Sequence, residues 1–460
     1  MEKFKKRMPK WGLVAAKASL ATVAMIGVES AIAGPLTHVP SANSKSPGMS
    51  SPNVLSPELQ EVTLAQGSTP LENPSSTTSG FYGYSVDGPM LPFPAGDLPS
   101  ASHKVEATKT EPDKNTYLVL QGLHGIDPLY NYGRHFLFQG HENGANGQGI
   151  ITRINLDADA AHRVTLLAET ENDGITPLKA IDGSTWYPFS RRLLFSSETG
   201  ISGGIYQATP DYPSVVENLF GVMGRGGYEG IQADPAGNII IIEDVGGTRG
   251  TTNNFARQPN SFVFRFIPNN RLDLKAGGKL QALQVMSLAN PGQPIEFHAG
   301  QADADILSED VRDLHTYGKV FDTNWVTIHD TGVDGFAPFD ANARAKLNYA
   351  TPFKRPENGQ FRPGTLFREF YFDETGDTDS RTQAGSAFGA IPGVQGFQND
   401  GDNEITGLHV SDGDPTVHGL LGAKLPFALL GDWKVFYTAQ HGDNHTFEIV
   451  PARGISPFHE

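Results

Sequence analysis

Cysteine is absent from this 460-residue chain. Its absence excludes disulfides, a thiolate nucleophile and any Cys-ligated zinc or iron–sulfur centre. Positive charge is scarce: 35 Lys and Arg stand against 51 Asp and Glu, for a formal charge of −16. So acidic a chain is a poor match for nucleic acid or an anionic membrane. Helical periodicity is rare, and its best windows, Glu309–Thr316 and Phe339–Leu347, are short. The one G-x-S-x-G match, GISGG from Gly200 to Gly204, reads as a glycine turn rather than a nucleophile elbow, and no H-E-x-x-H pair presents a zinc site. The glycine turns VMGRGG and GISGG lack the strand–helix context of a phosphate loop.

What the chain does have is turn chemistry. Gly (52) and Pro (32) make about 18% of it, above an average of roughly 12%. At the N-terminus, Lys3, Lys5, Lys6, Arg7 and Lys10 precede a mostly apolar stretch from Leu13 to Val28, and Ala31-Ile32-Ala33 is a small-x-small cleavage site. Residues 1–33 are therefore expected to be a secretory signal peptide and the protein to be exported, periplasmic or extracellular. Removing them takes away six basic and two acidic residues and moves the formal charge from −16 to −20. No later segment is apolar enough to span a membrane. Residues 34–115 open with a Ser/Pro-rich linker, and the remainder reads as an N-terminal extension.

From residue 116 to 460 one pattern recurs. An apolar run ends in a carboxylate or histidine, a Gly-rich turn follows, and a second apolar run returns. It occurs at His135 to Ile154, Arg192 to Ala208, Asn238 to Phe266 and Trp433 to Val450. Each copy reads as a β-hairpin with an acid or histidine at its tip. Copies of one supersecondary unit stack around a common axis, so about 345 residues would form five or six propeller blades of roughly 50 to 60 residues. The expected class is all-β, a β-propeller of five or six blades with a metal site in its central funnel. A double β-sandwich is the competing arrangement.

The tips bear His141-Glu142-Asn143, Glu198, Glu243-Asp244 and His441, Asp443 and Asn444; Glu229 follows a Gly-rich approach, and Arg355-Pro356-Glu357 lies in TPFKRPENG. Singly, such an acid is usually a turn residue bonded to its own backbone. Jointly they share a register, and carboxylates gathered at one place repel unless a cation neutralises them. Hard cations such as Ca²⁺ take several oxygens from separate segments. DETGDTD (Asp373 to Asp379) and NDGDNE (Asn399 to Glu404) read equally as solvated turns or surface calcium loops.

SSET, RGGYEGI with IIEDVGG, KRPE, and the C-terminal DNEITGLHVSDGD…GLLGAKLPF…VFYTAQHGDN resemble the PhoX-type alkaline phosphatases. The resemblance runs from about Tyr117 to the C-terminus. It implies a secreted, monomeric six-bladed propeller that hydrolyses phosphate monoesters with Ca²⁺ and iron in its funnel. It assigns Glu198, Glu229 and Glu357 to metal, with Glu243 or Asp244 helping, and Arg355 to the phosphate. Three positions depart from the family, one of them Ser197 in place of a glutamate. Tyr228 replaces a histidine, and Ser196 replaces the iron-ligating cysteine, which favours Ca²⁺ over iron here. The expected function is hydrolysis of a small phosphorylated substrate by a metal-activated water, with Arg355 clamping the phosphoryl charge. The rival readings are a non-catalytic calcium-stabilised binding propeller and a calcium-dependent lactonase.

Overall fold

The structure, a computed structural model, describes residues 37, 57, 59–84, 109–143, 147–252, 256–316, 319–361, 367–374, 404–409, 435–438 and 446–451. Two compact units divide the chain: Met1–Leu59 with Pro451–Glu460, and Gln60–Val450. Nearly all described residues belong to the second. Residues 1–33, read as a signal peptide, and the tip His441 to Asn444 lie outside the described residues.

Nineteen strands are described. β1 (Leu59–Ala65) comes first in the chain. A four-stranded sheet follows from β2 (Pro112–Val119), β3 (His135–His141), β4 (Ile150–Asn155) and β5 (Val164–Ala168). The second sheet comprises β6 (Ile181–Tyr187), β7 (Arg192–Ser197), β8 (Gly204–Ala208) and β9 (Val216–Asn218). The third has five strands: β10 (Tyr228–Ala233), β11 (Ile239–Glu243), β12 (Val263–Pro268), β13 (Gly278–Val285) and β14 (Thr323–Asp330). The fourth joins β15 (Pro356–Phe361), β16 (Glu369–Glu374) and β17 (Glu404–His409), and the last joins β18 (Val435–Thr438) and β19 (Thr446–Pro451) to β1 in the order β1-β19-β18. In the first four sheets sequence neighbours pair antiparallel throughout.

Packing between sheets gives the propeller. The first strands adjoin one another in series, β2 against β6, β6 against β10, and β10 against β15. The second and third sheets each bury one face on the preceding sheet and the other on the following one. Ile239 and Ile241 of β11 join Leu194, Ile205 and Tyr187 of the second sheet, whereas Ile240 and Ile242 join Phe361, Phe370 and Phe372 of the fourth. In β3, Phe136 and Phe138 meet Leu193, Phe195 and Tyr206, while Leu137 turns to Ala65, Leu71 and Tyr82. Alternate side chains feed different cores. A strand buried on both faces carries an unbroken apolar run, which explains IIII and LLF. A two-layer sandwich would leave one face of each sheet exposed. Each such Ile, Leu or Phe contributes about 1.5–3 kcal/mol of burial.

β1, β6, β9 and β15 were not expected from sequence. β6 (IDGSTWY) and β15 (PENGQF) mix polar and apolar residues. Residues 59–84 pack on the first sheet through Leu71 and Tyr82, and β2 begins at Pro112. The short helices at Glu309–Leu314 and Ala341–Leu347 occupy the two windows read as helical. Five sheets are seen among the described residues; segments 375–403 and 410–434, which a sixth blade would draw on, lie outside them. No helix among the described residues is long and apolar enough to cross a membrane.

Candidate metal centre

One local device recurs at the same end of four sheets. The first strand opens with a residue paired to the last residue of the second strand: Pro112 with His141, Ile181 with Ser197, Tyr228 with Glu243, and Pro356 with Glu374. The next pairs are Asn115 with Gln139, Ser184 with Phe195, Ile231 with Ile241, and Gly359 with Phe372. Three steps on one strand therefore oppose two on the other, which is a β-bulge. In every copy the first extra residue is an acid: Asp113, Asp182, Glu229 and Glu357. One residue past the second strand there is another acid in three copies: Glu142, Glu198 and Asp244.

These seven carboxylates form a connected series. Three overlapping groups could each hold a metal ion, with ligand oxygens within 4.8 Å of one another: Asp113, Glu142 and Asp182; Asp182, Glu198 and Glu229; Glu229, Asp244 and Glu357. Two glycines permit the close approach. A Cβ on Gly183 would meet the Glu229 carbonyl oxygen at 1.9 Å, and one on Gly230 would meet that of Glu357 at 2.5 Å.

Proton affinity in the series is high. Burial, then the neighbouring charge of Asp113, pushes Asp182 well above the usual carboxylate range. Burial, then Glu357, does the same to Glu229. Glu198 is pushed up to about 8 by burial, with Asp244 next in effect. Burial also raises Asp113. Two basic residues answer this negative charge. Arg355 donates to Asp244 through Nε at 3.0 Å and Nη2 at 2.6 Å, a bidentate pair in which Asp244 is almost fully enclosed. Its backbone has φ of 49°, the left-handed region that non-glycine residues rarely adopt. Lys114, half-buried, donates to the Ile231 carbonyl at 3.5 Å; burial brings its ammonium down to about 8 against the pull of Asp113, Asp182, Glu229 and Asp373. Asn358 donates to Glu229 Oε1 at 3.2 Å.

The donor set fits a hard cation. It is all carboxylate oxygen, and Asp182 Oδ1 is buried with no hydrogen-bond partner. Ser196 does not extend it. Its hydroxyl is buried and donates to the backbone carbonyl of Glu229 and to that of Gly183 at 3.3 Å, tying β7 to β6 and β10.

Of the residues singled out by sequence, Glu142, Glu198, Glu229, Glu357 and Asp244 fall in these groups, with Arg355 against Asp244. Glu243 lies outside the groups. It accepts from Asn342 at 2.8 Å and from the Phe262 amide at 3.2 Å, and burial pushes it up to about 8. His141 is buried between Thr110 and Thr152, and burial lowers it to about 3, so it is neutral. Glu374 is taken up by His315 at 3.1 Å and the Lys354 amide. The rest of the two acidic loops, residues 375–379 and 399–403, lies outside the described residues. Sequence reasoning passed over Asp113 and Asp182. Their signal was available: Pro112-Asp113, Ile181-Asp182, Tyr228-Glu229 and Pro356-Glu357 each set an acid one residue into a strand.

No family description matches the chain, and no curated protein matches it. Among solved structures it is similar to Pseudomonas fluorescens PhoX in complex with vanadate, a transition state analogue, with a TM-score of 0.39 and 10% identity over 70% of this chain and 66% of that one. The chain thus spans about two thirds of that structure's length. A likeness at this level carries no argument about the chemistry of the site.

Proposed function

We propose that the chain is an exported, calcium-dependent hydrolase of small phosphate esters, active as a monomer once residues 1–33 are removed. The single observation that carries this reading is the bulge-borne series of seven carboxylates with an arginine clamped at one end. Asp182, Glu198, Glu229, Asp244 and Glu357 would hold the divalent ions, with Asp113 and Glu142 behind them. Such ions supply charge neutralisation at a phosphoryl group and a water nucleophile at neutral pH, so no covalent nucleophile is needed. The carboxylates fix the ions' positions, and their enclosure keeps bulk water from screening the field. Arg355 supplies a planar fork that matches two phosphoryl oxygens. Its bond to Asp244 orients that fork, since the guanidinium has five N–H donors and this pair uses two of its nitrogens.

A second reading, a calcium-stabilised binding propeller without turnover, is favoured by the same ion pair: a guanidinium held at 2.6 Å by an enclosed carboxylate is already engaged. Elemental analysis of the mature protein, with p-nitrophenyl phosphate turnover before and after chelation, separates the two. Bound calcium with chelator-sensitive turnover supports the hydrolase. Bound calcium without turnover of any phosphoester moves the conclusion to the binding protein, and absence of bound metal overturns both.

A further inference from the structure

The four bulges are equivalent in backbone register but not in the residue after the acid: Lys114, Gly183, Gly230 and Asn358. At two copies that position has no room, because a Cβ would strike the neighbouring first strand. At the first copy a lysine stands there instead. Its side chain leaves β2 and reaches the carbonyl of Ile231 in β10, passing the intervening β6. Its ammonium therefore lies among the first strands, where it is attracted by Asp113 of its own strand, Asp182 of β6, Glu229 of β10 and Asp373 of β16. Arg355 answers the opposite end of the series at Asp244. Between them, Asp182 Oδ1 is buried with no hydrogen-bond partner.

We infer that Lys114 is a tethered cation in this series, a positioning residue that neutralises the Asp113–Asp182–Glu229 end and thereby limits how many divalent ions the series takes and how tightly. The inference rests on the metal-binding part of the proposed function. The physical argument is charge balance. A fixed ammonium within the same enclosure repels an incoming dication and, before any ion binds, offsets repulsion among carboxylates. Lysine is suited to this because its charge is compact and its stem long enough to cross a strand.

The test uses the mature chain, with calcium as the probe. Calcium titration by calorimetry and melting after chelation would be compared for the native chain, Lys114→Met, which keeps the bulk, and Lys114→Arg, which keeps the charge. Lys114→Met should bind calcium at least about tenfold more tightly, or take one further ion. Metal-free, it should melt below the native chain, and a second change, Asp182→Asn, should restore that loss; Lys114→Arg should track the native chain. If Lys114→Met leaves the isotherm and the metal-free melt unchanged, or if its lower melt is not restored by Asp182→Asn, the lysine only fills space and the inference falls. Should the native chain bind no calcium while the melt is lost and restored as described, the tethered charge stands and the metal reading fails.

Discussion

Asp159 and Asp330, at one end of the sheets, behave oppositely to Asp182, Glu198 and Glu229 at the other. At the far end Asp159 caps a turn at Ala160–His162, where the side-chain hydrogen bond with His162 holds its carboxyl below the usual range. Asp330 ends β14 in the same way, lowered by the Gly332 amide. At the bulged end Asp182, Glu198 and Glu229 are raised, by burial first and then by one another. The residue types are the same, but the supply of donors differs. A turn supplies free amides, which favour the ionised form. A bulge inside a ring of first strands supplies mostly other carboxylates. An acid without donors calls for a cation, and that is why the bulged end, and not the turn end, is the candidate site.

The largest expected effect breaks the bulged end outright. Glu229→Gln with Glu357→Gln should lower phosphate-ester turnover by at least about 100-fold, since each change removes a ligand. Unchanged turnover on p-nitrophenyl phosphate would sink the hydrolase reading.

A smaller effect sharpens the comparison through pH. Glu198 and Glu243 sit at about 8 when folded, above their ordinary 4.5. The folded chain therefore holds protons that the unfolded chain has released. Their stabilisation is complete below about 4.5 and is lost as pH rises through about 8. Chelated protein should melt at progressively lower temperature across that window. Calcium should flatten the part due to Glu198 and leave the part due to Glu243, and Glu198→Gln should remove the first part alone. A metal-free melt independent of pH over the window would contradict this.

The smallest effect is the control. Glu243 is adjacent to Asp244 but is hydrogen-bonded away from the series. Glu243→Gln should leave calcium affinity within about twofold, whereas Asp244→Asn should weaken it by about tenfold or more. Equal effects in a calcium titration would show that the two neighbours serve one site.

Much of this was legible in sequence because propeller strands are buried on both faces. FLF, LLF and IIII announced β3, β7 and β11, and an acid or histidine at each run's end announced the tips. The first strands were harder to see. β6 and β15 lie where sheets converge, so they carry polar and small residues in place of an apolar run, and β6 was missed with Asp182 on it. Ser196 stood in sequence as a replaced ligand; only its contacts with the Glu229 and Gly183 carbonyls make it a tie between strands.

The sequence by itself determined the all-β class, the hairpin repeat and the excess of acid, because each is written in local periodicity and composition. Tertiary structure alone decided which acids meet. Side chains alternate along a strand, so Glu243 and Asp244 face different places, and the one-residue bulge in β10 carries Glu229, which meets Asp244 and not Glu243. That bulge is a relation between two strands, absent from either strand's sequence taken alone.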